Sequence, residues 1–360
     1  MTDLANHTIA SDATLLEALR RLNSLPGSVM TLFVVDADER IVGSITDGDI
    51  RRALISGVSL EAPVVTACHR NFRSVKAGAI DPEIIGDCRN KGIRLIPVID
   101  DQCRAVSFID LTRQRTVLPL RAVLMAGGRG ERLRPMTLST PKPLLKIEGK
   151  AIIDYNVEAL AACGIHEIVV TTRYLAEQIH DHFAEPVAGI KVRCVTEDKP
   201  LGTIGAVADI WEATDRGCTL VMNSDLLTTI SFEEMYLRHC STDADVTIAV
   251  IPYQVSVPYA ILTLDENRPD AVAAIEEKPS YSYYANAGIY IFSNSLLSTL
   301  VSGEHCDATD LIERAIAEGR KVTYYPIKGT WIDVGSPVDF NQAAELMRHH
   351  NSMAINSTNN

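Results

Sequence analysis

The stretch Met125-Ala126-Gly127-Gly128-Arg129-Gly130-Glu131-Arg132-Leu133-Arg134-Pro135, followed by Pro141-Lys142-Pro143, decides the reading of this 360-residue chain. It ends a short apolar run, 121–125, that reads as a β-strand. Glycines directly after a strand let backbone N–H groups approach phosphate oxygens closely, and the neighbouring Arg and Lys add positive charge where a triphosphate would lie. The Gly-Lys-Ser/Thr ending of a P-loop is absent. Leu133 stands where the third glycine of a dinucleotide fingerprint belongs, so that alternative fails as well. What remains is a phosphate cradle of another kind, built around Ala126, Gly127 and Gly128.

Strands and helices alternate outward from this loop. Residues 153–163 have helical periodicity and stop at Gly164; 168–171 form the next strand, 175–183 the next helix, and 220–222 a strand delivering Asn223-Ser224-Asp225. This is the pattern of a doubly wound α/β sheet covered on both faces. Toward the N-terminus the texture differs. A helix-like stretch 12–22 leads into a strand 32–35, an acidic turn 36–40, a strand 41–45 and a helix opened by Thr46-Asp47-Gly48-Asp49. A second copy of the plan offers strand 95–99, a turn at 100–102, strand 105–106, and Ser107-Phe108-Ile109-Asp110 opening toward Leu111. Neither copy can bury a sheet face alone, so a face-to-face pair is expected. The expected division is 1–118, 119–350 and a frayed Asn/Ser-rich tail, 351–360.

Composition bounds the partners. With 34 Lys+Arg against 46 Asp+Glu the formal charge is −12, which argues against broad binding to nucleic acid or to an anionic membrane surface. Apolar residues at 46% and charged residues at 22% fit a globular chain. The polar start and the lack of a long apolar run point to a cytoplasmic protein. The eight cysteines are scattered without Cys-x-x-Cys spacing, so neither a zinc knuckle nor a disulfide framework is expected. His180-Asp181-His182 and His305-Cys306-Asp307 make poor metal sites, the first because its histidines diverge on a helix.

The glycine loop with Pro141-Lys142-Pro143, then Leu201-Gly202-Thr203-Ile204-Gly205, Asn223-Ser224-Asp225, Glu276-Glu277-Lys278-Pro279, Asn286-Ala287-Gly288 and Trp331-Ile332-Asp333-Val334-Gly335, in that order, resembles the sugar-1-phosphate nucleotidylyltransferases. The similarity spans roughly two thirds of the chain. It implies a mixed, Rossmann-like sheet for 119–350. The N-terminal copies resemble a tandem pair of CBS modules, a smaller α+β unit, in which Thr46 with Asp49 and Ser107 with Asp110 fit the Ser/Thr-x-x-Asp pattern. The resemblance further implies NTP and a sugar 1-phosphate as substrates, an adenine nucleotide bound through the two CBS aspartates, and assembly as a homo-oligomer. A purely structural dimerisation block is the competing reading of the pair.

The chemistry agrees. A phosphate monoester with second pKa about 6 is largely dianionic at neutral pH and can attack the α-phosphorus of an NTP without a general base. The reaction needs in-line positioning and neutralisation of charge on the phosphates. Asp225 and Asp333 are hard oxygen ligands suited to Mg²⁺. Arg132 and Lys142 would hold the triphosphate and transition-state charge. The resemblance assigns Gly202 and Thr203 to the nucleotide, and Glu277, Lys278, Asn286 and Gly288 to the sugar phosphate, with Asn286 alternatively satisfying backbone beside Gly288. Glu197 stands where many family members carry a base-contacting Gln. An ionised carboxylate only accepts hydrogen bonds, and guanine presents two adjacent donors, so GTP is expected, with UTP, CTP or dTTP as alternatives. Tyr259-Ala260 replaces the usual Tyr-Gly against the sugar, which leaves mannose, an amino sugar or a heptose 1-phosphate open. A non-catalytic nucleotide sensor and a dinucleotide-dependent oxidoreductase are the readings of a different class; the latter gives Lys278 and Asp333 no task.

Overall fold

A computed structural model describes residues 4–25, 29–77, 80–210 and 217–357, with side chains to 348 except at Pro269. The chain divides into two units, Met1–Pro119 with Ala159–Ile165, and Leu120–Glu158 with His166–Asn360.

The first unit contains two three-stranded sheets. In one, β1 (Thr8–Ala10) runs parallel to β2 (Thr31–Val35), which pairs antiparallel with β3 (Ile41–Thr46). In the other, β4 (Val75–Lys76), β5 (Leu95–Ile99) and β6 (Ala105–Asp110) repeat that order and those directions. Helix α1 (Leu15–Ser24) starts at a Thr14/Glu17 capping box, and α2 (Asp47–Ile55) at a Thr46/Asp49 box; α3 (Pro82–Asn90) is capped by Asp81. The turns are copies of each other. Asp36 accepts from the N–H of Asp38 and Arg40, and Asp100 from the N–H of Gln102 and Arg104, all at 2.8–2.9 Å. Phe33 stacks on Phe108 with centroids 5.2 Å apart, joining the halves through a shared apolar cluster with Val29, Ile41, Leu95 and Ile99.

The register corrects the reading of the second copy. Thr31 faces Thr46, and Leu95 faces Asp110, with a bulge at the same step in each hairpin. The register makes Asp110 the counterpart of Thr46 and Ser107 that of Gly43; three residues further on, Asp49 corresponds by sequence offset to Arg113. Ser107 lies within β6, and the strand is followed by a turn rather than a helix. Asp110 accepts from Thr112 N and Oγ1 at 2.9 and 2.6 Å, an Asx-type turn that diverts the chain before a helix can start.

The second unit is built on a seven-stranded mixed sheet of order β11-β10-β7-β12-β17-β14-β18. Its members are β7 (Leu120–Ala126), β10 (Ile168–Thr172), β11 (Arg193–Thr196), β12 (Cys218–Asn223), β14 (Val246–Ser256), β17 (Ser280–Ser293) and β18 (Val322–Pro326). Only β17 runs against its neighbours. Small pairs lie outside it: β8 (Lys146–Ile147) with β9 (Lys150–Ala151), β13 (Leu226–Thr228) with β19 (Trp331–Asp333), and β15 (Ile261–Asp265) with β16 (Arg268–Glu276). The helices are α4 (Ile152–Ala162), which crosses the division between units, α5 (Ala176–His182), α6 (Phe232–Ser241), α7 (Asn294–Leu297), α8 (Ala308–Ala317) and α9 (Pro337–Ser357).

The central strands β7, β10 and β12 are near-continuous apolar runs, as burial on both faces demands. Val123, Val221, Val246 and Phe292 pack against Leu311, Ile312 and Ala315 of α8. Helix α9 continues to Ser357, past the point where a frayed tail is expected from composition; adding residues to an existing helix costs no new nucleation, so weak helix formers such as Asn351 and Ser352 can follow it. Residues 358–360 lie outside the described residues. The scattered cysteines are all free thiols. Among the described residues no helix is long and apolar enough to cross a membrane.

Candidate active site

From β7 the chain moves to β10 and β11 on one side and then to β12 on the other, so the strand order reverses between β7 and β12. In an open α/β sheet the crevice beyond the carboxyl ends at such a reversal is where ligands bind. Here it is a cleft of about 600 Å³ lined by Ala126, Gly127, Gly128, Arg132, Lys142, Arg173, Glu197, Gly202, Thr203, Asn223, Ser224, Asp225, His305 and Asp307, among others.

The acidic pair is assembled by strand register. Asp225 occupies the turn between β12 and β13, and β13 pairs with β19 so that Leu226 faces Asp333. Two carboxylates more than a hundred residues apart thereby become neighbours, and Val334 N–H donates to the Asp225 carbonyl at 3.2 Å. The turn itself is pinned: Ser224 Oγ donates to Met125 O at 2.6 Å, and the buried Asn156 amide to Ser224 O at 3.2 Å. Lys142, only 8% exposed, follows the glycine loop, and its ammonium bonds Asp225 Oδ2 and reaches Asp333 Oδ1 at 3.3 Å. Asp225 Oδ1 is buried without a hydrogen-bond partner. A buried carboxylate oxygen with unused lone pairs, beside a second carboxylate, is a donor set that fits a divalent cation. Arg132 lays its guanidinium against Gly335, whose missing side chain leaves room: a Cβ there would stand 3.1 Å from the guanidinium.

Glu197 lies on the other flank. It follows β11, its N–H donates to Thr172 O at 2.8 Å, and its Oε2 accepts from Leu201 N–H at 3.3 Å. Burial pushes its carboxyl above the usual glutamate range, opposed by the Leu201 N–H, the Arg173 charge and a Thr171 hydrogen bond. The Leu201–Gly205 loop is clamped from above by residues 304–308. Cys306 N–H donates to Leu201 O, and Cys306 O accepts from both Ile204 and Gly205, at 2.9–3.1 Å. Gly202 has φ +76, and a Cβ there would sit 2.5 Å from Cys306 O, so only glycine allows the two backbones to meet. Thr203 serves this clamp: its N–H donates to Asp307 Oδ1 at 2.9 Å and its hydroxyl accepts from Ala308 N–H at 2.7 Å, closing the start of α8. His305, Asp307 and Asp310 approach one another, yet Asp310 accepts from Asp307 N–H, so both carboxylates already serve the helix cap.

Four expected sugar-phosphate residues are not among those lining this cleft. Glu277 and Lys278 are exposed in the turn joining β16 to β17 and do not line the cleft; they are carried away from it because β14 and β17 pair continuously from Val250/Asn286 out to Ser256/Ser280. Asn286 bonds within its own strand, to Tyr290 Oη at 2.9 Å and from Gly288 N–H at 3.0 Å, which is the backbone-satisfying alternative. Gly288, at φ +70, packs under the Asn223 side chain. Sequence reasoning passed over Arg173, Asn223 and His305 as site residues. The first two follow directly on or end a parallel strand beside the switch point, a position that marks them; His305 is brought in only by the clamp.

A family model described as nucleotidyl transferase matches residues 121–350, and a CBS domain model matches residues 2–56. The chain is 31% identical over 233 residues to a mannose-1-phosphate guanylyltransferase of Mycobacterium tuberculosis, covering 63% of this chain and 64% of that one. It is also 31% identical over 226 residues to the mannose-1-phosphate guanylyltransferase catalytic subunit beta of Drosophila melanogaster, covering 61% and 60%. It thus spans less than two thirds of the length of these relatives. A crystal structure of a Bacillus anthracis protein in complex with sucrose superposes on 64% of this chain and 95% of that one, with TM-score 0.50 and 23% identity, a likeness of fold.

Proposed function

The chain belongs to the nucleotidyl transferase family, with a CBS domain at its N-terminus, and from that premise we propose that it transfers a guanylyl group from GTP to a sugar 1-phosphate, releasing pyrophosphate. The observation that carries the reading is the convergence of Asp225 and Asp333 beside the glycine loop, on the ammonium of Lys142. The backbone of Ala126, Gly127 and Gly128 cradles the triphosphate. Arg132 and Lys142 neutralise charge that builds on the α-phosphate and the departing pyrophosphate. Asp225 and Asp333 hold Mg²⁺, which when bound polarises the phosphoryl oxygens. The incoming phosphate, already dianionic, needs orientation rather than deprotonation. Glu197 as a pure acceptor favours guanine, in line with the names of the relatives. Pyrophosphate release across a matrix of four NTPs and several sugar 1-phosphates tests this: GTP with a hexose or amino-sugar phosphate is expected to lead, and a chain inert toward every pair, or one preferring UTP or dTTP, overturns the reading.

The first unit binds one adenine nucleotide. A cleft of about 560 Å³ there is lined by Phe33, Thr46, Asp49, His69, Phe72 and Arg73, among others, and by neither Ser107 nor Asp110. Arg113 at the counterpart of Asp49 cannot accept from ribose hydroxyls, which leaves a single competent carboxylate. Titration calorimetry with AMP and ATP is expected to give one site per chain, lost in Asp49→Ala and kept in Asp110→Ala; two sites per chain, or no heat, counts against it. Assembly as a homo-oligomer completes the proposal. On the β15–β16 ribbon the register sets Leu262 opposite Ile275 and Leu264 opposite Val272, four exposed apolar side chains that such a contact would cover.

A further inference from the structure

Three adjacent parallel strands each deliver one residue past their ends to the same place. Thr172 of β10 faces Ala126 of β7 and Thr196 of β11, so Gly127, Arg173 and Glu197 stand side by side. From the point where a Cβ on Gly127 would lie, the Arg173 Cβ is 3.7 Å away and Glu197 Oε1 is 3.4 Å away. Both side chains line the cleft, Arg173 at its rim with the neighbouring groove over α5. Lys142 and the two aspartates gather at the end of β12, on the opposite side of β7 from β10 and β11.

We propose that Arg173 and Glu197 form a donor–acceptor pair that reads the nucleobase, Arg173 donating to the O6/N7 edge of guanine while Glu197 accepts from N1–H and the 2-amino group. The inference rests on the GTP reading and supplies the half of base recognition that Glu197 cannot. Guanine carries two adjacent acceptors on one edge and two adjacent donors on another, and the planar guanidinium fork matches the first as a carboxylate matches the second. Adenine would turn its N6 donor toward a cation. Uracil and thymine have no N7. A phosphate role suits Arg173 less well, because a carboxylate beside it repels the triphosphate and because the phosphate-facing cations lie across β7. Burial pushes the Glu197 carboxyl up, and the Arg173 charge opposes that shift, toward the ionised form that only accepts.

Two analogues separate the halves: 7-deaza-GTP lacks the N7 acceptor, and ITP lacks the 2-amino donor. For the full-length protein with Mg²⁺ and a sugar 1-phosphate, each analogue is expected to lose about tenfold in kcat/KM relative to GTP, carried by KM. Arg173→Met should raise the KM for GTP about tenfold or more, leave kcat within a few-fold, and bring the GTP to 7-deaza-GTP ratio near one while the GTP to ITP ratio persists. Glu197→Gln should do the converse. Arg173→Lys, with a point charge in place of the fork, should recover only part of the GTP preference. An Arg173→Met protein that melts normally and keeps the wild-type 7-deaza-GTP ratio overturns the proposal, as does one in which all NTPs lose equally, the mark of a phosphate contact. A wild-type protein that does not use GTP at all defeats the parent reading instead, so the two failures are told apart.

Discussion

Replacing Asp225 or Asp333 by Asn is expected to lower kcat for pyrophosphate release by about a thousandfold or more, while the melting temperature moves by only a few degrees. The amide preserves shape and can still accept from Lys142, so folding has little reason to fail. What it removes is the anionic oxygen that a hard divalent cation requires. A thousandfold corresponds to about 4 kcal/mol of transition-state stabilisation, within the several kcal/mol that a metal clamp on phosphoryl oxygens supplies. The effects should not add: once one ligand is lost the other holds the ion poorly, so the double variant should be little worse than either single one. Steady-state kinetics at several Mg²⁺ concentrations, with Mn²⁺ binding followed by electron paramagnetic resonance, make the check. A loss of tenfold or less in Asp333→Asn, with Mn²⁺ affinity intact, would remove that residue from the metal set.

Much of the site was legible because local sequence patterns coincide with strand ends. Gly127 and Gly128 follow an apolar run, Asp225 follows another, and a doubly wound sheet brings such ends to one edge. Asp333 was legible only through resemblance, since its place depends on the antiparallel register of β13 with β19, which no local pattern announces. Arg173 escaped notice because a lone cation after a strand carries no spacing signal. It becomes informative only when Thr172 is seen to align with Ala126 and Thr196. The N-terminal repeat shows the opposite failure. Its existence was plain from apolar runs and acidic turns, yet choosing Ser107 by the Ser/Thr-x-x-Asp pattern slipped the second copy by three residues. The pairing of Leu95 with Asp110 and the matched bulges fix the frame instead. Lys278 was drawn into the cleft by its motif, although the long β14–β17 pairing carries its turn outward. Motifs name the chemistry; register decides which side chains share a space.

Lys142→Met is expected to separate the two tasks of the lysine. In the structure its ammonium is the counterion of two carboxylates whose side chains are 23% and 37% exposed. Breaking a fully buried pair costs about 3–5 kcal/mol; with this much solvent at the carboxylates about 2 kcal/mol is the reasonable share. For a unit of this size that lowers the melting temperature by about 4–8 °C in the presence of a chelator. Because Asp225 Oδ1 has no partner even with the lysine in place, the variant leaves a pocket richer in unpaired negative charge than the wild type. Mg²⁺ should then act as a folding ligand: at a hundred times its dissociation constant it contributes about 2.7 kcal/mol, enough to restore what the lysine supplied. The wild-type protein, in which the ammonium competes for the same oxygens, should gain less from Mg²⁺. Catalysis should stay low in both conditions, since the restored cation does not replace the positive charge facing the triphosphate. Thermal unfolding of both proteins with chelator and with millimolar Mg²⁺ reads the difference directly. Equal Mg²⁺ shifts in the two would mean that the ion binds away from Lys142, and the shared acidic site would then have to be given up.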